Sequence, residues 1–221
     1  MKPLLPNKRN VPQRRNLIAY SNPDSIISEQ FREIRTNIRF LTQKAKKKPI
    51  LMITSPGSGE GKSTLAANLA VSMAQQKEKV LVIDANLREP SLHTIFKSPN
   101  STGLTDVITG KSTFEEAVYQ TEIGRLGLLP SGTIPSNPTE LVGTEMMNDI
   151  LKESLREYDV VLIDSPGVLE VADTKILANK CDGVILVVGE GKTEYAKAVE
   201  TKKALAFAQA QLLGVIVNVI K

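Results

Sequence analysis

Five stretches of this chain are short, continuous and apolar: ILMIT (50–54), VLVID (80–84), VVLID (160–164), GVILVV (183–188) and GVIVNVI (214–220). They are rich in β-branched residues and lack the polar alternation of a half-exposed strand, so they read as strands buried on both faces. Helical stretches over 62–76, 138–157, 171–180 and 193–210 separate them. Strands covered on both sides and joined by helical crossovers make a parallel sheet. The pattern therefore predicts an α/β fold, a doubly wound and mostly parallel sheet flanked by helices. The interval 92–135 is choppier, with short helical patterns at GLTDVITG and TFEEAVYQ and a strand at LGLLPSG.

Ahead of the first strand lie two further pieces. Residues 1–23 are rich in Pro, Asn and basic side chains and read as an extended basic arm. A helix over 24–45 follows, with Asp24 or Ser25 as its N-cap and Ile27, Phe31, Ile34, Ile38 and Leu41 on one face. The domain proper is 24–221. Residues 1–48 hold 12 Lys/Arg against 3 Asp/Glu, whereas the remainder holds 16 against 21. A basic arm on a mildly acidic body suits anionic lipid or an acidic subunit face. Nucleic acid is excluded as a partner by 4% aromatic content, the absence of Trp and the lack of a binding motif. A single cysteine, Cys181, cannot close an internal disulfide and fits a reducing compartment. The longest apolar runs are too short to cross a bilayer, and MKPLLPNKRN lacks the apolar centre of a secretion signal. The expected location is cytoplasmic, with any membrane reached through a partner.

Three sets of residues carry chemistry, each at the carboxyl end of a strand, where open α/β sheets bind ligands. The first is the loop Gly57-Ser58-Gly59-Glu60-Gly61-Lys62-Ser63-Thr64 between a strand and a helix. Its glycines let backbone N–H groups face phosphate oxygens at a helix N-terminus. Lys62 would neutralise the β- and γ-phosphates, and the Ser63 hydroxyl would hold Mg²⁺. Pro56 stands where the usual pattern has glycine, a tolerable change at the loop entrance. The second set is VLIDSP (161–166), a hydrophobic strand ending in Asp164, a metal-holding carboxylate. The third is VLVIDANLREP (80–90), a further strand ending in an acid, Asp84, with Asn86 and Arg88 behind it. A second carboxylate beside the γ-phosphate orients an acceptor, takes its proton or binds metal. ATP and Mg²⁺ are the cofactors this arrangement implies.

Taken together, these motifs resemble the bacterial protein-tyrosine kinases of capsule and exopolysaccharide synthesis. That family combines a phosphate loop, a strand ending Asp-x-Asp-x-Arg (Walker A′) and a strand ending Asp-Ser/Thr-Pro (Walker B). An N-terminal helix bearing Glu-x-x-Arg-x-x-Arg completes the set, here Glu29, Arg32 and Arg35 in EQFREIRTNIRF, and LPSGTIPSNPTELV (129–142) is also similar. The resemblance covers roughly residues 20–221. It implies Lys62, Asp84, Asn86 and Asp164 as catalytic positions, Ser63, Asp84 and Asp164 around the metal, and Arg88 with the loop on the nucleotide. It also implies self-association into a ring through Glu29, Arg32 and Arg35. A membrane protein's cytoplasmic tail would act as activator at the inner face of the membrane, with tyrosine-bearing protein substrates and a cognate phosphatase as further partners. At about 100° per residue the apolar set of the helix centres ~160° from Glu29, so the charged stripe is expected to face away from the domain.

Three departures from the family pattern matter. Asn86 replaces the second acid of the A′ strand and cannot act as a base, which predicts reduced rather than abolished activity. The sequence ends at NVIK without the family's tyrosine cluster, so either the tail is truncated there or the kinase is expected mainly to modify other proteins. Tyr20, Tyr119, Tyr158 and Tyr195 are scattered, with Tyr158 and Tyr195 reading as ordinary helix or strand-edge residues. Gly167 stands where a second proline is common. His93 reads as a surface residue and Cys181 as core packing. Two rival readings remain at this point. One is a switch ATPase of the chromosome-partitioning and septum-site type, which would carry a signature lysine where this chain has Gly57. The other is a nucleotide-binding scaffold of a polysaccharide machine.

Overall fold

The computed structural model describes residues 17–42 and 48–219. The chain enters through a helical turn α1 (Ile18–Ser21) and a long helix α2 (Ile26–Thr42). The elements that follow are β1 (Ile50–Thr54), α3 (Lys62–Ala74), β2 (Val80–Asp84), α4 (Leu92–Phe96), α5 (Leu104–Ile108) and α6 (Phe114–Ala117). Next come β3 (Tyr119–Gln120), β4 (Leu126–Leu129), α7 (Pro138–Gly143), α8 (Glu145–Glu157) and β5 (Val160–Asp164). The chain closes with α9 (Asp173–Lys180), β6 (Gly183–Gly189), α10 (Tyr195–Phe207) and β7 (Leu212–Asn218).

The strands form one sheet in the order β3-β4-β2-β5-β1-β6-β7, parallel throughout except for the short β3–β4 pair. Every residue of β1, β2 and β5 is buried, and successive side chains go to opposite faces. Leu51, Ile53, Val82 and Leu162 pack under α1 to α4 with Leu65, Leu69 and Ile38. Met52, Leu81, Ile83 and Ile163 pack under the remaining helices with Leu104, Ile150, Leu177 and Leu205. At roughly 1.5–3 kcal/mol for each fully buried large apolar side chain, these two layers dominate the fold's stability. The chain leaves β1 for β2 on one side and leaves β5 for β6 on the other. The order thus reverses around β1, and the crevice at its carboxyl end is where such sheets bind ligands.

The N-terminal region differs from its sequence reading. Residues 17–22, expected within an extended arm, turn helically and bury Ala19 against α3. The Ala19 N–H donates to Asn68 Oδ1 (2.9 Å), and Gln75 Nε2 donates to the Ala19 carbonyl (2.9 Å). Asn68, buried within α3, needs a partner there, and Gln75, just past the helix, adds a second contact. The basic arm over 1–16 and the lysines at 44, 46 and 47 lie outside the described residues. Ser25 caps α2, its Oγ accepting from the Ser28 N–H (3.1 Å). Ile27 and Leu41 of the expected apolar face stay exposed, whereas Phe31 and Ile34 are half-buried and Ile38 is buried.

Two further boundaries moved. The helix expected over 138–157 breaks at Thr144, whose extended backbone (φ −67°, ψ 160°) separates α7 from α8. The pattern at TFEEAVYQ divides into α6 and the antiparallel strand β3. Among the described residues no helix is long and apolar enough to cross a membrane.

Candidate active site

The loop after β1 takes the shape its glycines permit. Gly59 (φ +72°) and Gly61 (φ +85°) occupy the left-handed region that other L-residues adopt at a cost. The turn delivers the N-terminus of α3 to the crevice, with Lys62 and Ser63 buried just inside it. A cavity of about 410 Å³ opens there, lined by Ser58, Gly59, Gly61, Lys62, Ser63, Thr64, Asn86, Glu89, Pro90 and Ser91. The phosphate loop and the loop after β2 are therefore opposite walls of one space.

Beneath that space lie the two acids. Asp84 pairs with Asp164 in the β2–β5 register, so both strand tips end side by side, about 5 Å apart as neighbouring strands are. Both are fully buried. Asp84 Oδ2 accepts N–H bonds from Ser91 and Leu92 (both 2.9 Å), and Oδ1 accepts from Asn86 (3.3 Å). Burial pushes the Asp84 carboxyl up to about 6, against the downward pull of those three N–H groups and of Lys62. Two buried carboxylates side by side are costly unless a cation joins them. Oxygen donors from Asp84, Asp164 and Ser63 suit a hard divalent ion such as Mg²⁺, which takes few protein ligands and completes its shell with water and phosphate. Among the described residues no group of three or more His, Cys, Asp or Glu that could hold a metal occurs.

Other candidate residues are placed less simply. Asn86 reaches the cavity wall, but its amide closes a turn on Glu89, Nδ2 donating to the Glu89 carbonyl (2.9 Å) and Oδ1 accepting the Glu89 N–H (3.3 Å). Arg88 does not line the cavity. Its guanidinium pairs with buried Asp173 (3.1 Å) and donates to Thr139 Oγ1 (3.2 Å), while Thr139 bonds the same Asp173. These contacts make Arg88 a clamp tying the β2 loop to α7 and α9. Glu60, within the phosphate loop, turns its side chain away from the cavity: it accepts the Gly57 N–H (3.1 Å) and the Thr193 hydroxyl.

On α2, Glu29 and Arg32 form an exposed ion pair within one chain, while Arg35 behaves differently. Its Nη1 reaches the Ser72 carbonyl and Oγ on α3. The charged stripe was expected to face away from the domain, but the long guanidinium arm folds back onto it. Tyr158 is buried under Gly127 and accepts from Gln120 Nε2 (3.2 Å), and burial pushes its phenol upward. Tyr195, 85% exposed, begins α10. Cys181 is packed at the edge of the core, its thiol raised by burial, and His93 is only part-exposed.

Several residues that shape the site carry no local signal. Thr193, Lys192, Glu170 and Asn218 all touch the phosphate loop, yet each lies more than 100 positions from its contact. The Asn218 amide donates to the Glu60 carbonyl (3.0 Å) and blocks any side chain at position 61. Only the shared strand-end position of their segments hinted at a role.

The AAA domain family matches residues 48–200 of the chain. Tyrosine-protein kinase YwqD of Bacillus subtilis is 48% identical over 97% of this chain and 90% of its own length. The chain belongs to the bacterial tyrosine-protein kinases. The family match makes it an enzyme of the tyrosine-kinase class and fits the fold. The kinase domain of the Escherichia coli tyrosine kinase ETK superposes with a TM-score of 0.89 at 29% identity, over 96% of this chain and 85% of that one. The cell-division ATPase MinD of Pyrococcus furiosus shares the architecture more distantly, with a TM-score of 0.66 at 25% identity over 77% of this chain and 72% of its own. That order of likeness sets the kinase above the switch ATPase.

Proposed function

We propose that the chain transfers the γ-phosphoryl group of Mg-ATP to tyrosine hydroxyls, on further copies of itself or on other proteins, within capsular or exopolysaccharide synthesis. The observation that carries this reading is the Asp84–Asp164 register beneath the cavity that Lys62 and Ser63 enter. The amides of the phosphate loop and Lys62 would grip the β- and γ-phosphates and spread the charge of a loose transition state. Asp164 and Ser63 would hold Mg²⁺, which neutralises phosphate charge when bound. Asp84 would complete that charge balance while fixing the wall formed by residues 86–92. A tyrosine hydroxyl then attacks the γ-phosphorus and gives up its proton to solvent, the bond to the β–γ bridging oxygen breaks, and ADP leaves.

Glu29 and Arg32, on the outer side of α2, would meet a neighbouring copy, with Arg35 setting the helix on its own domain. Membrane recruitment would come from the cytoplasmic tail of a transmembrane activator, and a phosphatase would reverse the modification. The test is incubation with Mg-ATP, with and without an activator-tail peptide, followed by phosphotyrosine detection alongside Lys62→Met. Phosphotyrosine that disappears in Lys62→Met supports the reading. Phosphate release without phosphotyrosine points to a switch ATPase, and neither product points to a scaffold.

A further inference from the structure

The segment after Asp164 is laced to the phosphate loop. Thr54 Oγ1 donates to the Pro166 carbonyl (2.8 Å), the Val168 N–H to the Ser55 carbonyl (2.8 Å) and the Leu169 N–H to the Pro56 carbonyl (3.1 Å). The approach is close enough that a Cβ on Gly167 would lie 2.7 Å from the Gly57 Cα. This accounts for glycine where the family pattern has proline. At the end of the strap, Glu170 returns over both loops. Its Oε1 accepts the Ser58 N–H (2.7 Å) and its Oε2 accepts the Gly167 N–H (3.2 Å).

One carboxylate thus bridges an amide of the phosphate loop and an amide three residues beyond the metal-holding Asp164. Ser58 lines the cavity, next to the Lys62 and Ser63 that receive the inner phosphates under the proposed function. The neighbouring entrance positions have nothing left to donate: Pro56 has no N–H, and the Gly57 N–H is held by Glu60. An anion arriving at the outer end of the loop therefore meets two donors already satisfied by an anionic side chain. Carboxylate and phosphate oxygens make the same demand on backbone N–H groups. Glu170 is exposed, so it can swing into water at little cost.

We infer that Glu170 is an internal stand-in for the terminal phosphate and sets the chain's preference between nucleoside triphosphate and diphosphate. The inference rests on the nucleotide reading above. A triphosphate must displace the carboxylate and tolerate its charge nearby, whereas a diphosphate leaves it in place. The role is one of specificity, exerted through backbone donors that Glu170 occupies.

The experiment measures Mg²⁺-dependent affinities of the full chain for fluorescent ADP and for a non-hydrolysable ATP analogue, in wild type, Glu170→Ala and Glu170→Gln. Thermal unfolding is followed in parallel. Removing the carboxylate is expected to tighten the triphosphate analogue roughly tenfold relative to ADP, about one net hydrogen bond exchanged. Glu170→Gln, which keeps an acceptor and loses the charge, is expected to fall between. An unchanged analogue-to-ADP ratio overturns the inference while leaving the nucleotide site intact. Equal gains or losses for both nucleotides do the same, since a merely structural role moves both together. Wild-type protein that binds neither nucleotide would instead bring down the nucleotide reading itself.

Discussion

Two loops at the carboxyl end of the sheet meet the same demand, too many backbone N–H groups in too little space, by different means. After β2 the carboxylate comes from the loop's own strand: Asp84, fully buried, takes the N–H groups of Asn86, Ser91 and Leu92. After β1 the carboxylates are Glu60 from within and Glu170 from 112 residues away, and Glu170 is exposed. A buried local acceptor fixes a wall, whereas an exposed distant one can be exchanged for a ligand. The first arrangement is architecture and the second is a candidate control point.

The largest effect that would sharpen this contrast lies between them. Lys62→Met is expected to lower tyrosine phosphorylation by about 10²-fold or more, since it deletes the side-chain cation buried at the phosphate cavity. Phosphotyrosine yield over time measures it. Next comes the fixed wall: Asp84→Ala leaves three amides without their acceptor and is expected to cost about 2 kcal/mol or more in denaturant unfolding. Glu170→Ala, by contrast, is expected to stay within about 0.5 kcal/mol, as exposed substitutions do. Equal costs for the two would erase the distinction. Gly167→Ala forces the strap off the phosphate loop and is expected to cost about 1–3 kcal/mol, with weakened nucleotide binding. Asn86→Asp loses the donor to the Glu89 carbonyl yet adds a carboxylate to the site. An increased phosphorylation rate is expected, and no change would mean that position 86 serves the turn alone.

The smallest effect is a pH dependence. Asp84 has its carboxyl pushed up to about 6 in the folded chain, from 3.8. The folded state therefore holds that proton more tightly than the unfolded chain, so ligand-free stability should fall as pH rises from about 4 to 6. Thermal unfolding across that window, compared with Asp84→Asn, tests the sign.

Most of the sheet was legible because its strands are buried on both faces and so write continuous apolar runs. The phosphate loop was legible because positive φ at Gly59 and Gly61 and a helix start at Lys62 are local demands. What escaped was anything decided by reach. Arg35 was placed by the angle of its Cα, but its long side chain chose Ser72 of α3. Spacing alone could not show that Asp173, 85 residues on, is a partner of Arg88. Leu17 to Asn22 carried too little periodicity to announce a helical turn, because their order comes from Asn68 of α3 and from Gln75 just beyond it. Glu170 and Thr193 gave no signal beyond the strand-end position of their segments, since a carboxylate or hydroxyl over a distant loop leaves no spacing to read.

Under the proposed function a divalent ion is shared by the two neighbouring strand-end acids and the outer phosphates. Its most direct test is a titration of fluorescent ATP analogue with and without Mg²⁺ in wild type, Asp84→Asn and Asp164→Asn. Wild type should bind far more tightly when Mg²⁺ is present, and each variant should lose most of that gain while still folding. A gain from Mg²⁺ that survives in both variants would contradict the account.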